Sequence, residues 1–270
     1  MHDEAVTEPA AERQNGAGYS QSLERGLAVL CAFSPDRALL GVSDLGRELG
    51  LTRSTTHRYV ATLASLGFLE QDDATRKYRL GPRVLDLGFS TLGSMELREI
   101  AVPELRRLSH TTGYTSNLAI RDGGDVILID RVRGRSGRYH HLEFTLHVGS
   151  RLPAYCSATG KTLLAFLPEA ELERLLESLQ LVQRGPRTVT DKRALLKELA
   201  HVRRTGLSVN DEELESALRS IAAPVRGREG DVVAAVNVAI PWSPVAISQL
   251  VRRLGPTIRE TANRISARLT

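Results

Sequence analysis

The sequence predicts an α+β protein, with an N-terminal winged helix-turn-helix, a helical linker, and a C-terminal α+β domain with an antiparallel sheet. Three observations predict it. Between residues 42 and 80, two short amphipathic stretches are split by a glycine and followed by a short basic hairpin. From residue 82 apolar residues recur at helical spacing, and beyond residue 115 alternating β-branched runs are interleaved with helices. The expected boundaries are 1–18 for a disordered tail, 19–81 for the winged module, 82–102 for the linker helix and 103–270 for the C-terminal domain.

The first helix starts at Ser20 and carries Leu23, Leu27 and Leu30, with Val29 and Phe33 beside them, as a stripe expected to pack under the next two helices. Cys31 sits in that company and reads as core filler. The second helix is capped by Ser43, holds Asp44 in its first turn, buries Val42, Leu45 and Leu49, and is stopped by Gly50. Thr52 caps the third, in which Thr56, Val60 and Leu63 face inward while Ser54, His57, Arg58 and Ala61 point away, with Arg53 at the edge. Gly67 ends it. Residues 68–71 and 76–80 then form a hairpin around 72–75, with Tyr78 and Leu80 facing the core and Lys77 and Arg79 facing out. Pro82 opens the linker helix, which runs through Val84, Leu85, Phe89 and Leu92, and Pro103 restarts helix after a break near Val102. Strands follow at 115–120 and 126–132, with a third run at 139–146. Helices are expected at 159–167, 169–178 and 191–204, strands at 207–210 and 232–240, and a last helix capped by Ser243 with Pro244 in its first position.

Composition narrows the classes. The chain has 270 residues and a net charge of +4, which permits a polyanionic partner without demanding one. Two cysteines exclude a disulfide framework and a four-cysteine zinc site, and a reducing cytoplasm fits best. No apolar run is long enough to span a membrane, and residues 1–18 lack a signal-peptide core. The winged module carries eight Lys or Arg against seven Asp or Glu over residues 20–80, so its cations matter by position rather than in sum.

An outward face of Arg, Ser, His, Arg and Ala suits a DNA major groove, where Arg forks onto guanine and hydroxyls meet phosphate. The expected DNA-binding set is Arg53, Ser54, His57 and Arg58, with Ser43, Thr52, Thr55 and Tyr59 around them and Arg76, Lys77 and Arg79 in the wing. The same helices also occur as plain packing, and arginines on a wet face are commonly only solvated. Helix, tight turn, helix and wing in this order favour the first reading.

At these residues the chain resembles the IclR family of bacterial transcription regulators. The matching words are residues 22–30 (SLERGLAVL), Ser43-Asp44-Leu45 with Leu49-Gly50-Leu51, Arg53-Ser54-Thr55-Thr56-His57-Arg58, Leu66-Gly67-Phe68 and Tyr78-Arg79-Leu80-Gly81. The resemblance implies double-stranded operator DNA as partner, a dimerising linker, a homodimer or dimer of dimers, and a small-molecule effector pocket in the second domain. It makes residues 149–162 one wall of that pocket and residues 207–213, 219–224 and 235–239 the other.

The candidate effector-binding residues are Cys156, Ser157, Ala158, Thr159 and Gly160, then Asn210, Asp211, Glu212, Ser220, Asn237 and Ala239. Small residues at a helix start leave amides open to an anion such as a carboxylate. Family members that bind small oxo acids offer an acidic or thiol group and two strand hydroxyls where Asn210, Ser220, Asn237 and Ala239 stand here. That exchange suits a larger, partly apolar molecule, and the 151–162 word is similar to members governing aromatic catabolism through the β-ketoadipate route, so a small organic acid, aromatic by preference, is the expected effector. Asp211 and Glu212 also read as a plain helix start. Gly160-Lys161-Thr162 is not a phosphate loop, because Tyr155 stands where that loop needs glycine. Cys156 with His140, His141 and His147 matches no standard metal set, and no metal or cofactor is expected.

A ligand-responsive transcription regulator, repressor or activator, is the leading expectation. The alternatives are an enzyme using Cys156 with the N-terminal module as an interaction domain, and an architectural DNA binder with no effector.

Overall fold

The computed structural model describes residues 18–135 and 146–269. The expected tail at 1–18 therefore lies outside the described residues except for Gly18, and the expected strand at 139–146 except for Leu146. The chain forms two compact units that divide between Thr91 and Leu92.

In the first unit α1 (Gln21–Cys31), α2 (Val42–Glu48) and α3 (Arg53–Ser65) precede a hairpin of β1 (Leu69–Gln71) and β2 (Tyr78–Leu80). Val29, Leu40, Leu45, Val60, Leu69 and Tyr78 form its core. The stripe expected on α1 is largely unburied: Leu23 is 63% and Leu27 53% exposed, and Cys31 is exposed rather than filling the core. Only Val29 is fully enclosed, because the inward face of α1 lies one residue off the leucine stripe. Ser43 is not the cap of α2. The helix begins at Val42 after Gly41, whose N–H donates to the Asp44 carboxylate at 3.0 Å, so an acid inside the first turn does the capping. Leu80 is exposed while Tyr78 is buried, since Tyr78 exchanges backbone hydrogen bonds with Leu40 and is drawn into the core.

The break expected near Val102 falls earlier. Helix α4 (Arg83–Gly93) ends before Ser94, and α5 (Glu96–Thr112) runs straight through Pro103. The chain breaks after Gly93, a poor helix former, rather than at Pro103, where burial of Ile100, Ala101, Leu105 and Leu108 outweighs the proline's cost of about 3 kcal/mol.

The second unit is a six-stranded antiparallel sheet in the order β5-β4-β3-β8-β7-β6, from β3 (Thr115–Asp122), β4 (Asp125–Val132), β5 (Arg151–Pro153), β6 (Ser208–Asp211), β7 (Leu218–Arg226) and β8 (Val232–Pro241). Helices α5 and α9 (Ile247–Leu269) cover one face; α6 (Ala158–Ala165), α7 (Glu169–Ser178) and α8 (Lys192–Thr205) build the core on the other. Sequence reasoning missed β5 and β7. The alanines and Pro224 of β7 argue against a strand, yet beyond Ala222 no strand pairs with its β6-side edge, which accommodates a residue without N–H. The last helix does not start at Ser243 and Pro244. The Arg219 guanidinium takes the Ser243 and Val245 carbonyls at 3.0 and 2.7 Å, holding them out of a helical ladder, and α9 begins at Ile247.

Leu45 is fully buried between the helices of the first unit. Leu45→Ala is expected to cost the unit about 2–5 kcal/mol of stability, read as an earlier first transition in urea unfolding.

Candidate functional site

The turn between α2 and α3 is set by close packing. Gly50 has φ +62°, and a side chain on Gly46 would press on the Leu51 carbonyl and the Thr56 hydroxyl at 3.1 Å. The Thr52 hydroxyl accepts the Thr55 N–H at 3.3 Å and caps α3. Thr56 and Val60 are buried, whereas Arg53, Ser54, His57, Arg58 and Ala61 are exposed on the opposite side. That is a polar, cationic helix face on a firmly held helix. Thr55 is half-buried and bonded to Thr52, and Ser43 is exposed in the first turn of α2. Tyr59 is turned toward α1, where hydrogen bonding by Ser22, joined by Arg58 of α3 and Arg25 of α1, holds its pKa below the ordinary value.

In the hairpin Arg76, in the left-handed region at φ 57°, and Lys77 are exposed, while Arg79 pairs with Glu70 at 3.2 Å. The Asp72 carboxylate accepts from the Thr75 hydroxyl and N–H, which lowers its pKa and fixes the turn.

In the second unit one cavity gathers Ser157, Ala158, Thr159, Asn210, Ser220, Asn237 and Ala239. Its floor is the sheet face toward α6, and its roof is the start of α6, where the Ser157 hydroxyl caps Gly160 N–H at 3.2 Å. Leucines 128, 146, 152, 214 and 218 and Pro241 supply the apolar wall. Its volume is about 40 Å³, enough to hold water.

Sequence reasoning missed Asn117 and Arg131, which also line it. A bulge in β4 opposite Leu118 and Ala119 breaks the alternation, so Leu128 and Arg131, three apart, reach the same face. Asp130 goes to the other side and pairs with Arg98 at 2.8 Å.

Cys156, Gly160, Asp211 and Glu212 lie outside that cavity. Gly160 is packed so closely on the preceding 3-10 turn, Ala154–Cys156, that a side chain there would meet the Ala154 backbone at 2.3 Å. Asp211 ends β6 between Arg219, at 2.6 Å, and Arg187. Glu212 stands at φ 62° and accepts the Ala217 N–H at 2.9 Å, so neither residue starts a helix. The Cys156 thiol is buried, faces the Pro153 carbonyl at 3.9 Å, and is pushed up to about 12 by burial and then by the Glu213 charge. A thiol so fully protonated is a poor nucleophile.

Lys161 is the other buried cation of this region. Its ammonium donates to Glu213 at 2.6 and 2.7 Å and to Glu198 at 2.7 Å. Burial pushes the Glu213 carboxyl above its usual range even with Lys161 against it. The pair borders a larger cleft of about 650 Å³ between α8, β6 and α9, which of the expected residues includes only Asp211.

Comparison with known proteins agrees with both halves. The model for the IclR helix-turn-helix domain matches residues 22–73, and the model for the C-terminal domain of IclR bacterial transcriptional regulators matches residues 89–267. The chain is similar to the Pca regulon regulatory protein of Pseudomonas putida, 36% identical over 94% of this chain and 86% of that protein. It is similar in structure to RHA06195 of Rhodococcus sp. RHA1, with a TM-score of 0.78, 40% identity, and 93% of this chain and 98% of that one covered. A homologue from Microbacterium hydrocarbonoxydans, complexed with 4-hydroxybenzoate, aligns with a TM-score of 0.77 and 31% identity over 92% of this chain and 98% of that one.

Two outcomes test the geometry. Lys161→Met is expected to destabilise the second unit by about 3–5 kcal/mol by leaving Glu213 buried without its cation, and Lys161→Met with Glu213→Leu should regain most of that in denaturant melts. In native protein, alkylation at pH 8 should label exposed Cys31 and leave Cys156 unmodified, as peptide mass mapping would show.

Proposed function

The chain belongs to the IclR family of bacterial transcriptional regulators, and from that premise we propose that α3 and the β1–β2 hairpin read operator DNA under control of a small organic acid held in the cavity. The observation that carries this is the exposed Arg53, Ser54, His57 and Arg58 face on a helix whose opposite side is locked by Thr56 and Val60. In this reading α3 lies in the major groove, Arg58 forks onto a base edge, and Arg76 and Lys77 meet phosphate. Arg79 contributes less, because Glu70 already offsets its charge.

Exposed Leu85, Leu87 and Phe89 on α4 support pairing with the same helix of a second copy, which would set the distance between two reading heads. The organic acid is aromatic in this proposal, on the strength of the leucine-lined cavity and the 4-hydroxybenzoate held by a relative. Sites for drug-sized ligands run to roughly 300–1,000 Å³, far above the 40 Å³ of free space here. Entry of a ring therefore displaces lining leucines, and that displacement is what lets the ligand favour one arrangement of the protein over another. A tenfold change in operator affinity needs about 1.4 kcal/mol of such preference. A regulator of this kind acts in the cytoplasm; among the described residues no helix is long and apolar enough to cross a membrane. A thiol held protonated suits packing, not the enzymatic alternative.

Arg58→Ala is expected to weaken specific operator binding by about 1–3 kcal/mol. Lys77→Ala should lower the slope of log affinity against log salt by about one unit. Fluorescence anisotropy with promoter duplex checks both, and wild-type behaviour of both variants would show that this face does not read DNA.

A further inference from the structure

We infer that the cavity's amides are locked to present hydrogen-bond donors only, so that the carboxylate of its ligand lies against the Asn237 and Asn210 side chains; this rests on the cavity reading above. The lock starts at Arg131. A guanidinium has donors and no acceptor, so Asn117 must turn its oxygen to Arg131, which it does at 2.9 Å. The Asn117 NH₂ is then forced toward β8, where it donates to the Asn237 oxygen at 2.8 Å. With that oxygen engaged, the NH₂ of Asn237 is the end left for the cavity. Strand register makes the relay straight, since Asn117 stands opposite Arg131 on β4 and opposite Asn237 on β8.

A second amide is oriented the same way by unrelated partners. The Asn210 oxygen accepts the N–H groups of Glu213 at 2.8 Å and Leu214 at 3.5 Å, so its NH₂ also remains for the cavity. Asn210 and Asn237 are both more than nine-tenths buried, and no acidic side chain is among the described residues that line the cavity. The start of α6 adds the positive end of a helix from the roof. A carboxylate, which only accepts, satisfies these groups; an amidine, which only donates, leaves them facing donors.

Benzoate and benzamidine share a planar shape and have opposite hydrogen-bonding polarity, which makes them the probes. The full chain is titrated with each at up to millimolar concentration, following thermal shift and the emission of Trp242, the single tryptophan, next to the lining residue Pro241. Benzoate should bind and benzamidine should not, and Ala239→Leu, which fills the cavity, should abolish benzoate binding. Asn117→Leu cuts the relay while keeping the Arg131 charge, and is expected to weaken benzoate about tenfold or more, the scale of one charge-assisted hydrogen bond. Arg131→Lys, still a donor only, should retain most of the binding. Benzoate binding that Ala239→Leu blocks but Asn117→Leu leaves unchanged, or equal binding of benzamidine, overturns the relay and spares the cavity reading. Benzoate binding indifferent to Ala239→Leu, or none at all to the wild type, overturns both.

Discussion

The cavity of the second unit depends on one buried ammonium. Lys161 projects from α6 and is held by Glu213, just beyond β6, and by Glu198 on α8. These contacts tie the helix that roofs the cavity to the edge of the sheet that floors it. Removing such charges from water is costly, and what makes the arrangement tolerable is that both Glu213 oxygens and a Glu198 oxygen converge on one cation. Small residues complete the fastening. Gly160 lets α6 approach the Ala154 turn, and the Ser208 hydroxyl reaches both the Thr162 hydroxyl and the Ala158 carbonyl.

From the same strand the polar wall is organised. Asn210 faces the cavity, and its oxygen is engaged by the backbone of the residue that holds Lys161. The ion pair, the Asn210 turn and the cavity wall are thus one connected piece of chemistry. On the far side of the sheet the Asp130–Arg98 pair is its counterpart, produced by the same bulge that turns Arg131 inward. Strand alternation sends these two neighbouring charges to opposite faces, and the single extra residue in β4 decides that Arg131 is the one facing the cavity.

In the first unit charge is a matter of placement rather than of sum. Arg37 is paired with Glu48 and Arg79 with Glu70, whereas Arg53 and Arg58 on α3 and Arg76 and Lys77 in the hairpin, like Arg25 and Arg47 elsewhere in the unit, have no described ion pair. A nearly balanced module can in this way still present exposed cations on one helix face and in its hairpin.

Local pattern carried much of this. Glycines 50 and 67 with the cap Thr52 marked helix ends, because capping and left-handed turns are properties of a few consecutive residues. The sequence by itself determined the order of the helices, the strands other than β5 and β7, the exposed face of α3 and the family. Only the tertiary structure decided that Leu23 and Leu27 stay in the open, that Asp211 and Glu212 are drawn off by Arg187, Arg219 and the Ala217 amide, and that Arg131 and Asn117 enter the cavity. Those outcomes hinge on the phase of a strand after a bulge and on partners over a hundred residues away, such as Asn237 for Asn117, and no window of neighbouring residues contains either.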